Sequence, residues 1–275
     1  MRKLIAFVLA LALPGWAGAA ERVVTLAPNL TELVCAVGAC DKLVGVDQHS
    51  DYPDSVGNIA KIGDAFSINL EAVLALKPDL VIAWETGTDP QHMRRLEQLG
   101  LHIAWVRVNT LDEIGDALIK IGRLMGPSSA PIAANTARAY KTRLQMLRAR
   151  HQPESRLGVL YQIDLQPIYT VNQQSPISEA IEICGGHNIF SDLSQIAGIV
   201  SVESVLTRNP DVILFPDELK RGAIEKQWQR WPMLKAVQHH NLYGINDSLL
   251  ARASPRMLDG IENLCAVLDQ VRSKK

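Results

Sequence analysis

From Arg22 onward, short apolar runs alternate with helical patterns. VVTLA (Val23 to Ala27) precedes NLTELVCAVG, where Asn29 or Thr31 can cap a helix that Gly38 ends. LVGV follows, then NLEAVLALKPDLVIAW (Asn69 to Trp84), which reads as a short helix, a Pro-Asp break and a buried strand. DPQHMRRLEQLG predicts a helix, HIAWVRV a strand and LDEIGDALIKIGRLMG another helix. The second half repeats the alternation with the strand RLGVLYQ, the helix SPISEAIEICGG, a helical stretch through Trp228 to Val237, the strand LYGI and a final helix from Pro255 to about Val271. Strands alternating with helices predict parallel sheets flanked by helices on both faces.

The unit Asn69 to Trp84 recurs in weaker form as SVESVLTRNPDVILFP, Ser201 to Pro216. Glu71 matches Glu203, Pro78 matches Pro210 and Asp79 matches Asp211. Between the halves, Ala133, Ala137, Tyr140, Leu144 and Leu147 recur at spacings of four and three after the start signals Ser129 and Pro131. That stretch predicts one stiff helix with a single apolar stripe, where a flexible linker would be rich in Gly and Ser. The expected architecture is α/β: two Rossmann-like three-layer lobes, residues 21–126 and 153–275, joined by one long rigid α-helix within 127–152, with a ligand cleft between the lobes.

Met1 to Ala20 has a basic start, the apolar run LIAFVLALAL and a small-residue exit, the pattern of a cleaved secretory signal peptide. Without Arg2 and Lys3 the chain holds 26 basic against 29 acidic residues, net −3, which argues against nucleic acid or an anionic membrane as partner. The four Cys suit an oxidising compartment. Cys35 and Cys40 are five apart, and Gly38 between them can fold the chain back; they either bridge or remain separate thiols.

Facing lobes create a cleft at the carboxyl ends of their strands, which can serve an enzyme or a receptor. The chain has no G-x-S-x-G elbow, Walker loop, G-x-G-x-x-G after a strand, H-E-x-x-H or C-x-x-C, so an exported α/β enzyme loses its usual supports. No chain-held metal site or cofactor is expected, since the His residues are scattered without an i, i+4 pair. His49, in HSDYPD after the strand LVGV, lies at the expected cleft rim with Tyr52. Aromatics are only 5% of the chain, so Trp84 at a strand end, Phe66 before the repeated helix and Tyr169 in the expected turn PIYTVN are candidates for the walls of a large, partly apolar ligand site. Trp105, mid-strand, reads as core.

VVTLAPNLTELVCAVG, SDYPD, NLEAVLALKPDLVIAW, YTVN, CGGHNIF, VSVESVL..NPDVILF and ASPRMLDGIENLC, in this order, resemble the periplasmic cobalamin (vitamin B12)-binding family within the helical-backbone class of ABC-importer substrate-binding proteins. The resemblance implies a monomeric periplasmic receptor with cobalamin as transported ligand and an ABC importer permease dimer with its ATPase subunits as partner. It implies a Cys184–Cys265 bridge, ligand contacts from Trp84 and Tyr169, and contacts at the ligand edge from Asp247, Arg252 and Arg256, which otherwise cap the final helix or stay solvated. Three positions depart: His49 stands where Tyr is typical, Ala65 where Trp often stands, with Phe66 beside it, and SQIAGIVS around Ala197 has no Trp. The class also binds haem and ferric siderophores, and His49 is a candidate ligand to the metal of such a chelate. The resemblance further implies that Glu71 and Glu203, on the outer faces of the lobes, dock onto permease arginines; the helix dipole alone accounts for a carboxylate in each first turn.

Overall fold

The computed structural model describes residues 18–64, 67–151, 155–219 and 221–274. The first lobe runs β1 (Val23–Thr25), α1 (Pro28–Ala36), β2 (Leu43–Val46), β3 (Ala60–Lys61), α2 (Leu70–Ala75), β4 (Leu80–Trp84), α3 (Pro90–Gln98), β5 (Ile103–Val106) and α4 (Leu111–Met125). After α5 (Ser129–Arg150), the second lobe runs β6 (Leu157–Tyr161), β7 (Ile168–Val171), α6 (Pro176–Ile183), β8 (Gly186–Asn188), β9 (Ala197–Val200), α7 (Val202–Arg208) and β10 (Val212–Pro216). It ends with α8 (Arg221–Trp228), α9 (Lys235–Gln238), β11 (Leu242–Ile245), α10 (Asp247–Leu250) and α11 (Met257–Ser273).

The first sheet is five-stranded in the order β3-β2-β1-β4-β5, with every pairing parallel. The second is four-stranded, β11-β10-β6-β8, also parallel. The two copies of the repeated unit occupy equivalent places: β4 pairs with β1 as β10 pairs with β6. The shared Asp fixes that pairing. Asp79 accepts the backbone N–H groups of Glu21 (2.9 Å) and Arg22 (3.1 Å) at the head of β1, and Asp211 accepts that of Gly158 in β6 (2.8 Å). The residue before each Pro, Lys77 or Asn209, takes a left-handed turn at φ 47° or 45°.

α5 is 22 residues long and buries Ala133, Ala137, Tyr140, Leu144 and Leu147, the stripe expected from spacing. Its other faces carry cations that tie it to both lobes. Lys141 reaches Asp116 on α4 (2.7 Å), Arg148 joins Asp112 on α4 (2.7 Å) to Glu179 on α6, and Arg143 meets Asp259 (2.6 Å) and Glu262 (2.8 Å) on α11. One apolar cluster runs from Val23, Leu30 and Leu118 through Tyr140 and Leu144 to Leu157, Ile181 and Leu264, so the lobes share a core. Cys35–Cys40 and Cys184–Cys265 are both disulfides. Gly38 between the first pair sits at φ +75°.

Several local expectations change. Neither Asn29 nor Thr31 caps α1, which starts earlier, with Pro28 in its first turn; Thr31 instead bonds Thr25 (2.7 Å) and Ser50 (2.9 Å) through its buried hydroxyl. The helix expected through Trp228 to Val237 breaks into α8 and α9, because Pro232 lies in the stretch between them and cannot donate a helical hydrogen bond. PIYTVN is not a turn: it supplies β7, which pairs antiparallel with β9 as a separate two-stranded ribbon. Trp105 is half-buried against the cluster of Val24, Ile82's neighbour Val81 and Leu96. Residues 1–17, most of the expected signal peptide, together with Ala65 and Phe66, lie outside the described residues.

Candidate functional site

In the first sheet the chain leaves β1 toward β2 on one side and β4 toward β5 on the other. Such a reversal opens a crevice at the carboxyl ends of the strands. Every strand of the sheet contributes to it: Asp64 beyond β3, Asp47 and His49 beyond β2, Asn29 beyond β1, Trp84 ending β4, and Asn109 beyond β5. The opposite wall comes from the second lobe, through the β7–β9 ribbon, the start of α6 and the segment 250–257.

The cleft has two compartments. The larger, about 300 Å³, is mainly apolar, walled by Trp84 and Val108 against Val171, Ile177, Ala197 and Met257. The smaller, about 240 Å³, has a largely apolar surface from Ala27, Pro28, Trp84 and Ala251, and is termed the polar compartment only for the side chains of Asn29, Asp47, His49, Asp64 and Arg252 that also line it. Trp84 and Ala251 line both and form the partition. The Trp84 backbone N–H is held by the Thr88 hydroxyl at 3.0 Å, and its indole N–H is buried with no partner among the described residues. Gly87 makes room for the ring: a Cβ there would lie 2.2 Å from Cε3 of Trp84.

Tyr169 pairs with Ile199 and Val171 with Ala197 across the ribbon, and directly opposed residues share a face. Since side chains alternate along a strand, all four lie on one face. Val171 and Ala197 line the apolar compartment, while Tyr169 (37% exposed) and Ile199 (59%) continue that face outward as an apolar ledge.

Arg252 and Arg256 also reach across the lobe boundary. The Arg252 guanidinium pairs with Asp51 and reaches Glu32 (3.3 Å) and the His49 carbonyl (3.2 Å), all in the first lobe. Arg256 bonds Glu32 at 3.1 Å and lies 3.7 Å over the Tyr52 ring, while the Ser254 hydroxyl donates to Glu32 at 2.6 Å. These groups form an interlobe clasp beside the polar compartment. Hydrogen bonding from Arg252 holds the Asp51 carboxyl below its ordinary range. Burial alone would lower the Arg252 pKa, but Asp51 and Glu32 more than offset it and the net shift is upward. Burial pushes Asp47 up, against the opposing hydrogen bond from the His49 backbone N–H (2.8 Å).

Of the residues singled out from sequence, His49, Trp84 and Arg252 meet in one compartment. Tyr52 is held under Arg256, and Asp247 accepts a hydrogen bond from the Tyr161 hydroxyl without lining either compartment. Burial raises the Asp247 carboxyl, against that hydrogen bond. Glu71 and Glu203 are exposed in the first turns of α2 and α7. Asn29, Asp47, Asn109 and Ile199 are cleft residues that the sequence reading misses; Asp47 follows directly on β2, while Asn29 and Asn109 lie a few residues past the ends of β1 and β5.

The family model described as periplasmic binding protein matches residues 23–249. The vitamin B12-binding protein of Vibrio cholerae is 38% identical over 251 residues, covering 90% of this chain and 89% of that protein. The crystal structure of the periplasmic vitamin B12-binding protein BtuF of Vibrio cholerae superposes with a TM-score of 0.84 at 36% identity, covering 92% of this chain and 98% of that one. A periplasmic haem-binding protein from Pseudomonas aeruginosa superposes with a TM-score of 0.79 at 25% identity, covering 90% and 92%. With the family model spanning both lobes and the cleft between them, the chain belongs to the periplasmic binding protein family.

Proposed function

We propose that the chain captures cobalamin or a related corrinoid in the interlobe cleft and delivers it to an ABC importer. The observation that carries the reading is the apolar compartment walled by Trp84 and opening onto the Tyr169–Ile199 ledge, in a chain 38% identical to a vitamin B12-binding protein. A wide planar ligand with an apolar face suits such walls. The chain is a binding protein, as its family is, and not an enzyme.

A haem or ferric-siderophore reading is favoured by one feature: His49 is exposed at the polar compartment and offers an imidazole to a chelated metal. Titration of the purified protein with cyanocobalamin, haemin and ferric siderophores, followed by tryptophan quenching, separates the two. Saturation by cyanocobalamin alone is expected; saturation by haemin alone would overturn the corrinoid reading.

The importer partner follows from the family. Its finer form is that Glu71 and Glu203, exposed at equivalent places in the two lobes, are the handles for two permease subunits. Export through a signal peptide of residues 1–20 completes the reading. Ala20 is itself buried and donates its N–H to the Leu124 carbonyl at 3.0 Å, so amino-terminal sequencing of the exported protein, which locates the cut, bears directly on that boundary.

A further inference from the structure

We propose that the polar compartment is a carboxamide-selective subsite, in which Asn29 pairs with a neutral primary amide on the ligand edge and Asp47 disfavours a carboxylate in the same place. The proposal rests on the corrinoid reading and adds the residues that discriminate.

Asn29 follows β1 where the strand order reverses, and it is only 4% exposed. Its Nδ2 is fully covered and has no hydrogen-bond partner among the described residues. A buried polar group left unpaired is costly, so native proteins rarely keep one without a use. Five described buried side-chain atoms are in that state, and the two on the cleft wall are Asn29 Nδ2 and Trp84 Nε1. A primary amide complements an Asn side chain on both sides, accepting from Nδ2 and donating to Oδ1, once rotation of the Asn29 amide turns Nδ2 out of its covered position.

The charges around Asn29 select against the acid. Asp47 and Asp64 both line the compartment. Arg252 is the wall's fixed cation, and both of its terminal nitrogens are already engaged, by Glu32, Asp51 and the His49 carbonyl. His49, the remaining titratable side chain of the wall, has its ring nitrogen 3.0 Å from the Gln48 amide. A ligand carboxylate would therefore approach two carboxylates with no uncommitted guanidinium to receive it, and like charges at close range are unfavourable.

Calorimetric titration with cyanocobalamin and with its positional monocarboxylic acids, each having one side-chain amide hydrolysed, tests the subsite. Wild type is expected to bind at least one positional acid about ten-fold more weakly than cyanocobalamin, and Asp47→Asn to bring that same isomer's ratio close to one. Asn29→Ala is expected to weaken cyanocobalamin about ten-fold; the isosteric Asp47→Asn supplies an independent readout if Asn29→Ala folds poorly, which its melting curve reports. Equal binding of all the acids by wild type, or an unchanged cyanocobalamin affinity in folded Asn29→Ala, would overturn the subsite alone. Failure of wild type to bind cyanocobalamin would overturn the corrinoid reading and the subsite with it.

Discussion

Arg252 and Glu32 are 220 residues apart in the chain and 3.3 Å apart across the lobe boundary. Glu32 also takes Arg256 and Ser254, so one nearly buried carboxylate gathers three donors from the opposite lobe. Removing one partner of a buried pair costs about 3–5 kcal/mol when the other charge is stranded. Arg252 keeps Asp51, so for Glu32→Ala we expect a loss of about 2–3 kcal/mol and a melting temperature roughly 5–10 °C lower. A thermal denaturation curve that matches wild type would show that the clasp contributes nothing to stability.

Trp84 partitions the cleft, and its loss should cost binding more than folding. For Trp84→Ala we expect ligand affinity to fall by about 1–3 kcal/mol, the range for a stacked aromatic at a binding site. Gly87→Ala should act in the same direction without touching the ligand, because the added methyl would collide with the ring. Fluorescence titration checks both; a Gly87→Ala protein that binds like wild type would show that the ring position is not critical.

Acid should loosen the clasp through Asp51. Its pKa is depressed in the folded protein, first by the hydrogen bond from Arg252, so its contribution is present above the unfolded value of about 3.9 and is lost as pH falls through the lower folded value. Asp112, depressed by Arg148, behaves alike. Their side chains are 63% and 58% exposed, so screening keeps each effect below about 1 kcal/mol. Urea midpoints measured from pH 6 downward, about two units either side of that value, should fall less steeply for Asp51→Asn than for wild type. Parallel slopes would contradict this assignment.

Glu71→Ala and Glu203→Ala should leave ligand affinity unchanged and impair uptake in cells lacking the wild-type receptor, and Glu→Arg at either site should be worse. Charge pairing of this kind governs register and encounter rate more than affinity. Full uptake by the double Ala variant would leave these residues only their first-turn role beside the helix dipole.

What the sequence made legible was periodic or local. The α5 stripe, the strand that Trp84 ends and the repeated helix-break-strand unit all follow from spacing within one segment. What it hid was long-range. Nothing near Arg252 reveals that its partners are Glu32 and Asp51, and nothing near Asp79 or Asp211 reveals that each latches the backbone of a neighbouring strand. Tyr169 reads as a turn residue because its strand partner Ile199 lies in a segment with no strong alternation of its own. Asn29 looked like a cap, yet Pro28 begins the helix one residue earlier and turns its amide into a wall.

The shared core sets a limit on what the repeated plan means. Leu30 and Leu118 belong to the same apolar cluster as Ile181 and Leu264, and α5 is buried against elements of both halves. Splitting the chain beside α5 would bare one side of that cluster on each fragment, leaving each half only its smaller private cluster, around Val24, Val81 and Leu96 in the first lobe and Leu160, Ile213 and Trp228 in the second. Because the largest cluster spans both lobes, a single cooperative melting transition is the expected behaviour of a chain that reads as a pair of modules.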